Sequence, residues 1–282
     1  MIKNIVHVLE HDFRNFFRYR WWLVGLISMN LADLFIMAVV YNNMLAPKIS
    51  KEITSYFNFF APGLAVTGLF ASAFMIGREI NMERRREVHH YMLSIPMTRM
   101  ELAIGRVLSG GLRGMVYMSP LLLTCFLFLG FPSVPQFLII LGVLFLLAVG
   151  ISGLSIAIAV STSSLEIFIT ARGLVYYTLF FCSSVFYPLS LIQELGQEGK
   201  FPVILVKFAE ANPLSSASDM VRSFLLPGYP PFSYLSIASV VIFSLFFTLL
   251  ASLAYIKVLE RQICLHARTR KSKPLVAGAT RR

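Results

Sequence analysis

The chain has 282 residues, 57% of them hydrophobic and only 14% charged, with a formal net charge of +11. Soluble proteins average about 45–50% apolar and about 25% charged residues, so an ordinary soluble domain is excluded and a polytopic membrane protein is indicated. The surplus of cations raises the possibility of a nucleic-acid partner, which only the placement of those cations can settle.

In residues 1–20, Ile2, Ile5, Val6, Leu9, Phe13, Phe16 and Phe17 recur at helical spacing, with Lys3, Glu10, Asp12 and Arg14 between them. This predicts an amphipathic helix lying in the inner membrane interface and leading into Trp21 and Trp22 as an aromatic anchor. Arg14, Arg18 and Arg20 stand where a cleavable signal peptide needs an apolar core. His7 and His11 share a helix face at a spacing that can bind metal, but no third ligand accompanies them and a polar face is the better reading.

Spans of about 20 apolar residues are predicted at 21–41, 57–77, 107–130, 136–160, 173–192 and 233–257. No Pro/Gly/Ser linker and no repeat divides them, so residues 1–260 read as one membrane domain followed by a basic tail, 261–282. Cys125, Cys182 and Cys264 have neither metal nor disulfide spacing and read as small apolar residues. With both termini inside, 19 Lys or Arg fall on the inner side and five on the outer side, and Arg113 lies within a span. That asymmetry satisfies the positive-inside rule, so most of the positive charge reflects topology and nucleic acid drops out as a partner. The tail from Lys257 is expected on anionic headgroups.

Between the second and third spans lies a charged inner island, Arg78–Leu102. Its first part, through Met92, has no Pro or Gly and predicts a short helix, which Pro96 ends. Thr98 and Glu101 then have capping-box spacing, with Met97 and Leu102 placed as a hydrophobic staple, so the third helix begins about two turns before the membrane. Glu79, Glu83 and Glu87 form a stripe whose mutual repulsion Glu83–Arg86 and Arg84–Glu87 pairs would offset. By composition alone this is a solvated loop helix; the sharper alternative is a helix presented to a cytosolic partner. His89 and His90 diverge by about 100° on a helix and do not form a metal site.

The outer region 184–228 is apolar but interrupted by Pro188, Pro202, Pro213 and Pro227, with Pro230 and Pro231 just beyond; this reads as re-entrant helices shielded within protein or as an ordinary outer loop, and the apolar stretches 201–208 and 217–226 favour re-entrance. Asp33 falls near the middle of the first span and Arg113 within the third. Ionisable groups at such depth are functional candidates, and a pairing between these two is one reading. Tyr176 and Tyr177, with Phe180 and Phe181, give the fifth span a polar-aromatic face suited to a pathway, or to lipid contact.

Several blocks now carry a resemblance: Phe60-Ala61-Pro62-Gly63-Leu64, Gly77-Arg78-Glu79, Glu83-Arg84-Arg85-Arg86-Glu87, Ile95-Pro96-Met97-Thr98-Arg99 and Gly105-Arg106, then Phe186-Tyr187-Pro188-Leu189, Asn212-Pro213-Leu214, Asp219 and Arg222. In this order they resemble the permease subunits of ABC type-2 exporters, which move drugs, polysaccharides, lipo-oligosaccharides and lipids. Two departures are Val88, where the family often has Gly, and the longer, charged segment 193–210.

The resemblance implies an all-α fold with six transmembrane helices, an N-terminal interfacial helix (1–20), a cytosolic coupling helix within 78–97 and outer re-entrant helices within 184–228. It implies contact with an ATPase through Glu83, Arg84, Arg85, Arg86, Glu87, His90 and Tyr91. Pathway or gate candidates are Asp33, Pro62, Tyr176, Tyr177, Phe186, Tyr187, Pro188, Asn212 and Pro213. Implied partners are two ABC ATPase subunits carrying ATP and Mg, a second permease copy or paralogue, and the lipid bilayer of a prokaryotic cytoplasmic membrane. The chain itself is expected to bind no cofactor and to catalyse nothing. Leu108-Ser109-Gly110-Gly111-Leu112 is similar to an ATPase signature, but inside an apolar helix its amides are already used, and Gly110 and Gly114 read instead as a packing surface. Gly196–Phe201 lacks the spacing of a phosphate loop. The alternatives are a membrane-embedded enzyme, for which no intramembrane His–Glu or Ser–His set is present, and an ion-driven transporter, for which Asp33 alone qualifies among midplane carboxylates.

Overall fold

The computed structural model describes residues 2–18, 20–49, 56–85 and 97–272. All the regular structure among the described residues is helical: α1 (Ile2–Arg18), α2 (Arg20–Ile49), α3 (Tyr56–Ala73), α4 (Met75–Arg85), α5 (Arg99–Leu129), α6 (Val134–Ser161), α7 (Leu165–Phe181), α8 (Leu189–Gln197), α9 (Val203–Ala211), α10 (Pro213–Leu225) and α11 (Tyr234–Ser272). Helices α3 and α4 form one apolar run, Tyr56–Arg85; with α5, α6 and the first part of α11 they give four helices long and apolar enough to cross a membrane. A fifth is added if α1 and Leu23–Met37 of α2, bent by 71°, count as one span. The protein is a multi-pass membrane protein.

The expected fifth span differs from the observed helix. Helix α7 starts at Leu165, where the Ser164 hydroxyl accepts from the Ile167 amide at 3.1 Å, and ends at Phe181. The apolar run to Ile192 is therefore not one helix, because polar groups from α10 claim the carbonyls of the chain after Phe181. Helix α11 runs on past residue 260 to Ser272, into the stretch expected as the basic tail.

Helix α3 is the centre of the bundle. Its Leu69 and Phe70 pack into the main core with Leu121 of α5, Leu144 and Leu147 of α6, Phe168 of α7 and Val221 of α10. A second core at the α1 end joins Val8, Ile76, Ile80, Leu102, Ile156 and Tyr255. Glycines set the close crossings. A Cβ on Gly153 of α6 would lie 2.7 Å from the Phe247 backbone of α11, and one on Gly77 would collide with Ser155. The Gly110–Gly114 surface behaves as expected: Cβ atoms there would strike Ser152 of α6 and come within 3.1 Å of Ala73. Because lipid gives helices no hydrophobic reason to associate, such small-residue contacts supply much of the packing.

The start of α5 follows its sequence signal. Thr98 Oγ1 accepts from the Glu101 amide at 3.2 Å, and the Thr98 amide donates to Glu101 Oε2 at 2.8 Å. Met97 packs against the cluster containing Leu102. Glu101 also accepts from Asn4 Nδ2 at 2.9 Å, which ties this helix start to α1.

Candidate functional site

Two buried polar clusters mark opposite ends of the bundle. At the α1 end, Val8, Asp12 and Phe16 lie one turn apart and face α5, where Gly105 makes room for Val8. Arg106 is fully buried and grips two acids: Nη1 donates to Asp12 Oδ1 at 2.7 Å and Nη2 to Glu83 Oε2 at 2.6 Å. Two turns further along α5, Arg113 pairs with Glu79 at 2.6 Å, donates to the Asp12 carbonyl and lies 5.5 Å from the Phe16 ring centroid. Charges this deep in low dielectric persist only when paired and hydrogen-bonded. The arginines of α5 therefore bind helix α1 to the charged end of α4.

Arg84 points away from this cluster, toward the end of α6. It donates to the carbonyls of Val160 at 3.1 Å and Thr162 at 2.5 Å, satisfying groups that a helix C-terminus leaves open. Of the residues expected to meet an ATPase, Arg85 is exposed, whereas Glu83 is turned inward to Arg106. Arg86, Glu87, His90 and Tyr91 lie outside the described residues. Glu79 and Glu83 are thus paired with arginines of α5, while the expected Glu83–Arg86 and Arg84–Glu87 pairs involve residues outside those described; Arg113 has Glu79, not Asp33, as its acid.

At the opposite end, the irregular chain 182–188 is held by α10 and α3. Arg222 is fully buried. It donates to the carbonyls of Ser184 at 2.7 Å, Val185 at 2.9 Å and Phe59 at 2.9 Å, and to Asp219 at 2.7 Å. Tyr56 takes the next carbonyl, Phe186, at 3.2 Å. Asn212 faces two ways: Nδ2 donates to the Leu179 and Cys182 carbonyls, each at 2.7 Å, closing α7, and Oδ1 accepts from the Leu214 amide at 3.0 Å, opening α10 with Pro213 in its first turn. Non-helical backbone inside an apolar protein requires this kind of satisfaction. Tyr229 donates to Asp219 at 2.8 Å; burial, with the nearby carboxylate, pushes its phenol well above the ordinary range and keeps it a neutral donor.

The expected pathway residues separate into two sets. Pro62 is buried within α3, and beside it Gly63 leaves room for Arg222 and Val185. Phe186 is wedged between Phe60, at 5.6 Å, and Phe180, at 4.6 Å between centroids. Tyr187 donates to the Phe181 carbonyl, and Pro188 precedes α8. With Asn212 and Pro213 these residues build the folded cap. Asp33 and Tyr176 are half-buried, Tyr177 is exposed, and Asn30 of α2 donates to the Tyr117 hydroxyl of α5 at 2.5 Å. Tyr176 packs on Phe70 of α3, with ring centroids 5.4 Å apart.

The sequence reading missed Asp12 as a site residue and placed it on the polar face of α1. A signal was present: Asp12 shares a stripe with Val8 and Phe16, and Arg106 and Arg113 are seven residues apart on one face of an otherwise apolar helix.

Comparison with known families gives a direct match. A family model described as ABC-2 type transporter matches residues 4–226 of the chain, from α1 through α10. No curated protein matches.

Proposed function

The chain belongs to the ABC-2 type transporter family, and from that premise we propose that it is the membrane-spanning subunit of an ATP-driven exporter. Two copies, or one copy and a paralogue, would form the pathway, and two separate ATPase subunits would bind and hydrolyse ATP with Mg. In this reading the membrane is a prokaryotic cytoplasmic membrane with both termini inside. The six crossings are α2, α3–α4, α5, α6, α7 and α11; α8 and α9 are the outer re-entrant pair, and residues 78–97 contain the coupling helix.

One observation carries the coupling part of this reading: a single buried guanidinium, Arg106, holds Asp12 of α1 and Glu83 of α4. Closure of cytosolic ATPases must act on a stiff element. A push on residues 86–96 enters α4 at Arg85, passes through Glu83 to Arg106, and so reaches the long helix α5 and the interfacial helix α1. Arg84, anchored on the end of α6, stiffens the same joint. Of the described residues expected to meet the ATPase, exposed Arg85 is the one left to face the partner.

The test is co-purification of an ATPase subunit from the same genome with wild-type protein and with Arg85→Glu, followed by ATP hydrolysis in reconstituted vesicles. Reversing a charge that contacts the partner lowers both; a solvated Arg85 leaves both unchanged and removes this contact from the proposal.

A further inference from the structure

We infer that Asn30 and Asp33 of α2 form a binding site for a protonated amine carried on an apolar body. Asp33 stands near the middle of the 30-residue helix α2 and is half-buried. The carboxylates of Asp12, Glu79, Glu83 and Asp219 each hold an arginine. Asp33 does not: among the described residues it makes neither an ion pair nor a hydrogen bond. Asn30, one turn earlier on the same side of α2, leaves a second acceptor open. Its Nδ2 donates to the Leu26 carbonyl at 2.9 Å and to the Tyr117 hydroxyl at 2.5 Å. A carbonyl can only accept, so the Leu26 contact fixes which end of the amide is nitrogen. Oδ1 is the other end, and among the described residues it accepts no hydrogen bond.

Two open acceptors, one of them charged, on a helix that crosses a membrane call for a ligand that brings both donors and positive charge. An ammonium group brings both: one N–H makes a charge-assisted bond to Asp33, and another reaches Asn30 Oδ1. The neighbours of Asp33 along the helix set the rest of the ligand. Met29 and Met37 lie one turn before and one turn after it, and both are exposed, 61% and 40%. Their flexible thioether side chains adapt to apolar bodies of varied shape. A hard metal ion is a poorer fit, since it takes about six oxygen ligands and two polar side chains flanked by methionines do not supply them. As cargo, the amine rests on the exporter reading above; as a ligand, it rests on this chain alone.

The experiment therefore uses the full chain without an ATPase. Protein in phosphatidylcholine nanodiscs is titrated with tritiated naphthylmethylamine, and bound probe is read by scintillation proximity against empty nanodiscs. Wild-type protein binds the amine saturably; unlabelled amine displaces it, and naphthylmethanol, the uncharged counterpart, does not. In Asp33→Asn the affinity falls by about 10- to 100-fold, the range for a lost hydrogen bond to a charged group, whereas Asp33→Glu retains binding. In Asn30→Leu the affinity for the primary amine falls, while that for the quaternary trimethyl(naphthylmethyl)ammonium, which has no N–H, is unchanged. Circular dichroism verifies that each variant is folded. Absence of saturable binding to wild type, equal displacement by the alcohol, or undiminished binding by folded Asp33→Asn overturns the proposal, and equal losses of both amines in Asn30→Leu overturn the role of Asn30. Failure of an ATPase subunit to co-purify removes the cargo role and leaves this binding intact.

Discussion

Arg106 and Asp12 form an ion pair 2.7 Å long in which both side chains are fully buried. The two residues belong to different helices, and the same guanidinium also holds Glu83 from a third. Removing the cation strands two carboxylates in a low-dielectric contact, whereas removing one acid leaves Arg106 its other partner. Arg106→Gln should therefore cost on the order of 3–5 kcal/mol and Asp12→Asn on the order of 1–3 kcal/mol. Thermal unfolding in detergent measures the difference. Arg106→Gln is expected to melt about 10 °C below wild type, with Asp12→Asn between the two; the reverse order would mean that Glu83 contributes little to holding Arg106.

Orientation is tested at two exposed positions, Arg85 at the end of α4 and Lys200 between α8 and α9. Single cysteines at these sites, in a cysteine-free background, are exposed to a membrane-impermeant maleimide in intact cells and again after permeabilisation. The cation asymmetry predicts immediate labelling at 200 and labelling at 85 only after permeabilisation. Labelling at 85 in intact cells would invert the topology and, with it, the assignment of residues 78–97 to the ATPase side.

What the sequence disclosed depended on the distance over which each signal acts. The Thr98–Glu101 capping box needs three residues of spacing, and both of its hydrogen bonds are present. The Gly110–Gly114 surface is equally local, and small residues occur where helices must approach. Asn212 was legible as part of a motif but not as a cap on α7, because the carbonyls it binds belong to Leu179 and Cys182, about 30 positions earlier. The same contacts explain why the apolar run to Ile192 gave one long span in place of a helix ending at Phe181: hydropathy registers apolar side chains and not the side chains that capture backbone. Asp12 was assigned to water because it falls with Glu10 and Arg14 between the apolar positions of an amphipathic helix, and only the α5 arginines reverse that expectation.

Glycines in α6 offer a paired test of helix packing. A Cβ on Gly153 would lie 2.7 Å from backbone atoms of Phe247, whereas one on Gly142 meets nothing within 4 Å. Backbone cannot swing aside as a flexible side chain can. Gly153→Ala should therefore separate α6 from α11 and cost about 1–3 kcal/mol. Gly142→Ala should be neutral or stabilising by up to about 1 kcal/mol, since it only restricts the unfolded chain and improves helix propensity. In one detergent Gly153→Ala should melt below wild type and Gly142→Ala at or above it; equal shifts would mean that the α6–α11 crossing relaxes freely.

The cap around Asn212 yields the last prediction, which divides one side chain into its two actions. Nδ2 closes α7 through Leu179 and Cys182, and Oδ1 starts α10 through the Leu214 amide. Asn212→Ser keeps an N-cap oxygen but loses both donations, so two buried carbonyls go unsatisfied at about 1 kcal/mol each. Asn212→Ala also loses the N-cap, adding about 1 kcal/mol. Stability should fall from wild type to Ser to Ala in two unequal steps, the first the larger. If residues 182–188 act only as folded structure, transport by the protein that survives purification should be normal in both variants. If the segment moves during release, transport per folded molecule should fall already in Asn212→Ser, because the segment between α7 and α10 has lost its tether while α10 keeps its start. Transport measured in vesicles and normalised to folded protein distinguishes the two, and unchanged transport in both variants would leave this cap a structural element with no part in gating.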